Sequence, residues 1–98
     1  GCEILEKNYR SRRGEIDLIV QDGRYLVFVE VKYRKNSNTG FPEEAVDYPK
    51  QMKISRTAQE YLLRKELPET TPCRFDVVAV CGNNIHHIRN AFDCAYGW

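Results

Sequence analysis

The feature that most constrains this chain is a pair of apolar runs, Ile16–Gln21 and Arg24–Tyr33, set on either side of Asp22-Gly23. Asp-Gly between two such runs signals a two-residue β-hairpin, because the tight turn needs backbone with φ > 0. Closing the loop with Gln21 opposite Arg24 predicts Asp17 across from Phe28 and Glu15 across from Glu30. Side chains alternate between faces along a strand, so Glu15, Asp17, Glu30 and Lys32 share one face. In this register Asp17 and Glu30 are diagonal neighbours, about 7–8 Å apart at Cα, near enough for both carboxylates to reach one cation. The other face carries Ile16, Leu18, Val20, Val27, Val29 and Val31 and is expected to be the core.

Glutamate and lysine on a half-exposed sheet are often solvated decoration. Here the charged face also carries Ile19, Leu26 and Phe28, so it is expected to be partly covered. Three acids and a lysine under partial cover would repel and lose hydration without a counter-ion.

The rest of the chain reads as scaffold. Residues 3–10 alternate loosely and predict a first strand leading into the hairpin. Lys35–Gly40 is polar and reads as a mobile loop, and Pro42 before Glu43 and Glu44 reads as a helix start. Asp47 and Pro49 open the main helix, expected to run to about Leu67 and to stop at Pro68, with Ile54, Ala58, Tyr61 and Leu62 as its buried stripe. Lys50, Gln51, Lys53 and Arg56 lie early on this helix and are read as its solvated surface in preference to basic or amide side chains offered to a ligand. Arg74–Cys81 and Ile85–Ala91 are strand-like around a Gly82-Asn83-Asn84 turn. Asp76 inside that strand predicts a structural partner such as an arginine or backbone amides. His86 and His87 alternate across their strand and make a poor ligand pair. Three strands, a long helix and two strands predict an α/β fold with a mixed sheet.

Asp17 together with Glu30-Val31-Lys32 resembles the core motif of the PD-(D/E)XK nucleases, the restriction-endonuclease-like superfamily. More narrowly, Arg13-Gly-Glu-Ile-Asp17, Phe28-Val-Glu-Val-Lys32, Ala45-Val-Asp47, Arg74–Val80 and His87–Phe92 resemble the YraN-type family of small bacterial proteins. That family is related to archaeal Holliday-junction resolvases and is described as predicted nucleases. The resemblance implies a restriction-endonuclease-like core with Asp17 and Glu30 as metal ligands and Lys32 as the catalytic lysine. The expected ion is Mg²⁺ or Mn²⁺, held by hard oxygens from Asp17, Glu30 and the Val31 carbonyl, with coordination sites left for water and phosphate. Glu15 is a second-tier candidate, as an outer acid or a ligand of a second ion. The implied substrate is nucleic acid, with branched or otherwise structured DNA favoured. The chain departs from the pattern in having Ile16 where proline is usual before Asp17. It also begins after the N-terminal helix, often bearing another acid, with which such proteins usually open, so a truncated N-terminus is expected.

Length allows one domain, residues 1–98, with a modest core. The formal charge of +1 does not by itself nominate nucleic acid. The basic residues are clustered, however: Lys7, Arg10, Arg12 and Arg13 precede Glu15, and Arg34 and Lys35 follow Lys32, where phosphate contacts would be needed, the alternative being an ordinary solvated surface run. The four cysteines have no zinc-like spacing. With no signal peptide recognised and no apolar run of membrane length, a cytoplasmic location without membrane contact is expected. A missing helix would expose apolar surface that a second copy could cover, so a homodimer is one expectation. The rival to an enzyme is a catalytically silent nucleic-acid-binding or assembly module on the nuclease fold.

Overall fold

A computed structural model describes residues 2–34 and 46–94. The elements run β1 (Cys2–Ser11), β2 (Gly14–Asp22), β3 (Tyr25–Arg34), α1 (Tyr48–Arg64), β4 (Cys73–Cys81) and β5 (Asn84–Phe92). They build one five-stranded sheet in the order β1-β2-β3-β4-β5. Neighbours are antiparallel except β3 and β4, which are parallel and joined across α1. This is the expected α/β architecture with a mixed sheet and one long helix, consistent with a restriction-endonuclease-like core. Lys35, the Lys35–Gly40 loop and the helix start at Pro42 lie outside the described residues. Among the described residues, no helix is long and apolar enough to cross a membrane.

The hairpin forms, but its turn sits one residue further on than expected. Asp22 pairs with Tyr25 and Gln21 with Leu26, leaving Gly23-Arg24 as the loop. Gly23 takes φ 59° at the first central position, the arrangement of a type II′ loop. The expected loop would have required a positive φ at Asp22 as well; the observed one asks it only of glycine. Ordered pairing ends at Leu18↔Val29, so Asp17 lies beyond the ladder and meets β3 through its side chain, which accepts from the Val31 N–H. Glu15 lies outside the β2–β3 ladder as well; it pairs with Arg10 of β1.

The face assignment is also corrected. The main core lies on the face of Ile19, Leu26 and Phe28, where Ile54, Ala58, Tyr61 and Leu62 of α1 pack. Aromatic rings run across this face: Phe28 stacks on Phe75 with centroids 5.6 Å apart, Phe75 on Phe92 at 5.0 Å, and Tyr61 meets Tyr9 edge-on at 5.2 Å. Val27 and Val29, on the opposite face, are buried too, but they stand outside this cluster. Ile16 joins the same cluster as Ile19 although three residues separate them, so β2 departs from strict alternation at Asp17-Leu18.

Helix α1 is capped at both ends by its own sequence. The Asp47 carboxylate accepts from the Lys50 N–H at 3.0 Å, and Pro49 occupies the first turn. At the other end Glu66 adopts φ 56°, with Leu67 N–H donating to Leu62 O at 2.9 Å and Glu66 N–H to Leu63 O at 3.1 Å. That is a Schellman closure, and it stops the helix at Arg64, before Pro68 has any part in ending it.

Candidate active site

The site forms where β2 and β3 stop pairing. Beyond Leu18↔Val29 the Val31 N–H donates to Asp17 Oδ2 at 2.8 Å. A side chain thus takes the place of a backbone acceptor and holds the Asp17 carboxylate against β3. Glu30 projects from β3 on the helix-covered face, with only 7% of its side chain exposed. Its carboxyl group also lies within interaction range of the Asp17 carboxyl group.

Two lysines reach the same Glu30 oxygen. Lys32 Nζ lies 3.4 Å from Oε2 and Lys50 Nζ 3.6 Å from it. Burial pushes the Glu30 carboxyl above its ordinary value, Lys50 and Lys32 pull it back, and the Asp17 charge and hydrogen bond push it up again. Two carboxyl groups in contact are stable only with a proton or a cation to share. The pair offers hard oxygen donors with cationic neighbours, a donor set that suits Mg²⁺ or Mn²⁺ better than a softer metal. Among the described residues, no set of three or more His, Cys, Asp or Glu side chains is gathered as a metal cage.

The structure brings together Asp17, Glu30, Val31 and Lys32, and it places Glu15, Arg12 and Arg13 away from them. Glu15 faces Arg10 across the β1–β2 ladder, with Arg10 Nε 3.7 Å from Glu15 Oε1. Arg12 and Arg13 form the exposed turn between β1 and β2, which Ser11↔Gly14 closes. Arg34 ends β3 opposite Cys81.

Lys50, expected on the solvated surface of the helix, instead turns to Glu30. One signal was available: a lysine in the first turn opposes the helix dipole, and no acid sits in that turn to offset it. A cation placed there against local preference asks for an external partner, and Glu30 is that partner.

Gly14 locks the site's first strand to the helix. A Cβ there would lie 2.9 Å from Thr57 Oγ1, and φ is 155°, so a larger residue would be both crowded and strained.

The buried acid Asp76 has the structural partners expected of it. Arg74 Nε lies 3.0 Å from Oδ1, the Asn90 N–H donates to Oδ1 at 2.9 Å, and His87 Nε2 is 2.8 Å from Oδ2. Arg74 also reaches Asp22 Oδ2 at 2.8 Å. Burial pushes the Asp76 carboxyl up, but the Arg74, Asn90 and His87 hydrogen bonds outweigh it and hold it below the ordinary range. Asn90 takes φ 52° where the β4–β5 register shifts, so Asp76 pins a bulge in the edge strand.

Residues 1–80 match a family described as "Uncharacterised protein family UPF0102". A UPF0102 protein of Lachnoclostridium phytofermentans is 58% identical over 97 residues, covering 99% of this chain and 81% of the relative. One from Persephonella marina is 47% identical over 96 residues, covering 98% of this chain and 82% of the relative. Another, from Nitrosomonas eutropha, is 50% identical over 91 residues, covering 92% and 77%.

Proposed function

The chain belongs to the UPF0102 family, the YraN-type group, and from that premise we propose that it is a metal-dependent nuclease hydrolysing phosphodiester bonds of nucleic acid, with structured or branched DNA favoured. The observation that carries this reading is the contact between the Asp17 and Glu30 carboxyl groups beside Lys32. Such a contact is unfavourable in an empty site and favourable around a divalent cation.

Asp17 and Glu30 would hold Mg²⁺ or Mn²⁺, with the Val31 carbonyl as a further oxygen ligand. When bound, the ion supplies a polarised phosphoryl oxygen and a more acidic water. The Val31 N–H fixes the orientation of Asp17, so one carboxylate oxygen is held and the other is left to turn toward the ion. Lys32 is a compact charge, 32% exposed, that can leave Glu30 to orient the attacking water and offset charge on the pentacoordinate phosphorus. Lys50 neutralises Glu30 in the resting protein and is placed to meet a substrate phosphate.

One observation favours the rival, a silent binding or assembly module: among the described residues only two carboxylates converge. A metal titration with an activity assay decides between them. Mn²⁺ is expected to raise the melting temperature of the wild type and not of Asp17→Asn. The wild type alone should cut a panel of linear, flap and four-way-junction DNAs. A metal response that survives Asp17→Asn would put the ion elsewhere.

A further inference from the structure

An open groove of about 580 Å³ lies between the β1–β2 turn and the outer side of α1, lined by Arg12, Arg13, Arg56, Gln59, Glu60 and Leu63. Three arginines face one glutamate there, so the walls carry an excess of positive charge. The helix that lines the groove also carries basic residues back toward the candidate site. Lys50, Lys53 and Arg56 follow one another at three-residue spacing, about 4.5 Å of rise per step. Lys50 is the residue that touches Glu30. Gly14 packs against Thr57 and Lys53, which keeps the arginine turn beside this stretch of helix.

One wall is apolar in an unusual way. Leu63 is 76% exposed although it stands in a basic groove. A duplex keeps its base faces stacked and shows only base edges in its grooves, so it offers less apolar surface to a side chain beside its phosphates. A single strand offers phosphates and unpaired base faces together.

We infer that this groove binds a single-stranded segment of nucleic acid leading into the Asp17–Glu30 site, with its phosphates on Arg12 and Arg13 and a base against Leu63. The choice of ligand rests on the nuclease reading of the neighbouring site; the groove's charge and its apolar wall do not. Neither Arg12 nor Arg13 touches Asp17 or Glu30, so the role assigned here is capture and positioning of the strand.

The test is fluorescence anisotropy on the full chain in EDTA, where binding is separated from turnover. The probes are labelled thymidine and uridine oligomers of about 12 nucleotides and a fully paired DNA hairpin of equal charge. Both single strands are expected to bind more tightly than the hairpin, and the tighter of the two identifies the sugar preferred. Joint Arg12→Ala and Arg13→Ala substitution should weaken single-strand binding about tenfold and flatten its salt dependence by about 0.7 per lost phosphate contact. Leu63→Ser should weaken it about fivefold with the salt dependence unchanged. All three positions are exposed, and equal melting temperatures will show that the variants are folded. Equal or tighter binding of the hairpin, or wild-type affinity in either variant, overturns the inference. If the single strand binds as described but Mn²⁺ never elicits cleavage, the nuclease reading fails and the groove stands. Cleavage without single-strand preference has the reverse meaning.

Discussion

Lys50 Nζ stands 3.6 Å from Glu30 Oε2, which ties the first turn of α1 to the centre of β3. Lys32 lies 3.4 Å from the same oxygen, so a single carboxylate holds two ammonium groups. With Asp17 against it as well, Glu30 is the hub of the site. The two ammonium groups offset the Glu30 charge, and a divalent ion bound there would compete with them for it.

The sign of the Glu30 contribution is open to measurement. Its folded value is raised above the ordinary 4.5, mainly by burial. Its contribution is therefore fully present below pH 4.5 and is lost as pH rises through the folded value. Glu30→Gln removes that loss and keeps the shape, so without metal at neutral pH it should be as stable as wild type or more so. Urea denaturation of both proteins in EDTA at pH 4 and pH 7 reads this out. A clear loss of stability in the variant at pH 7 would make the lysine pairs structural and remove the site's main ligand.

The two lysines should separate kinetically. Lys32→Met retains much of the stem and is expected to abolish cleavage with substrate affinity largely intact. Lys50→Gln is expected mainly to raise KM. It should also strengthen the Mn²⁺ response by about two- to fivefold, because a half-exposed cation of modest effect no longer opposes the ion. Wild-type turnover in Lys32→Met would demote that lysine to a surface partner of Glu30.

Asp76 should be costly to lose. Asp76→Ala leaves the buried side of Arg74 short of a partner and frees the Asn90 bulge, a change expected to cost about 3 kcal/mol. Because the Asp76 carboxyl is held below its ordinary 3.8, its contribution is present above that pH and is lost as pH falls through the folded value. Asp76→Asn should accordingly flatten the acid limb of the stability profile. An unchanged acid limb would mean that other carboxylates govern acid unfolding.

Glu66→Gly should stabilise the chain. The position sits at φ 56° in the Schellman closure, where a side chain is strained and glycine is not. A gain of about 0.5–1 kcal/mol in denaturant unfolding is expected. A loss would show that the Glu66 side chain makes a contact worth more than the backbone strain.

Several features were written into local sequence. Asp47 with Pro49 marks the start of α1, Asp76 announces a buried ion pair, and the two apolar runs announce the hairpin. The sharing of one face by Asp17 and Glu30 also followed from sequence. It survived an error in the turn, because moving the closing pair from Gln21–Arg24 to Asp22–Tyr25 shifts the register by two residues, a full period of the strand. Alternation over Leu18–Asp22 could be read from the strand alone, whereas the break at Asp17-Leu18 could not.

What tertiary structure decided was which face mattered and who else came to it. The valine face looked like the core because it is uniformly apolar, yet α1 covers the face of Phe28 and Glu30. The path of the crossover between β3 and β4 sets that choice, and no local pattern in either strand encodes it. The same packing brings Lys50 to Glu30 from 20 residues along the chain, while Glu15 is drawn off by Arg10 on the neighbouring strand. A strand's sequence states what it can present on each side; only the packed helix determines which side becomes a site.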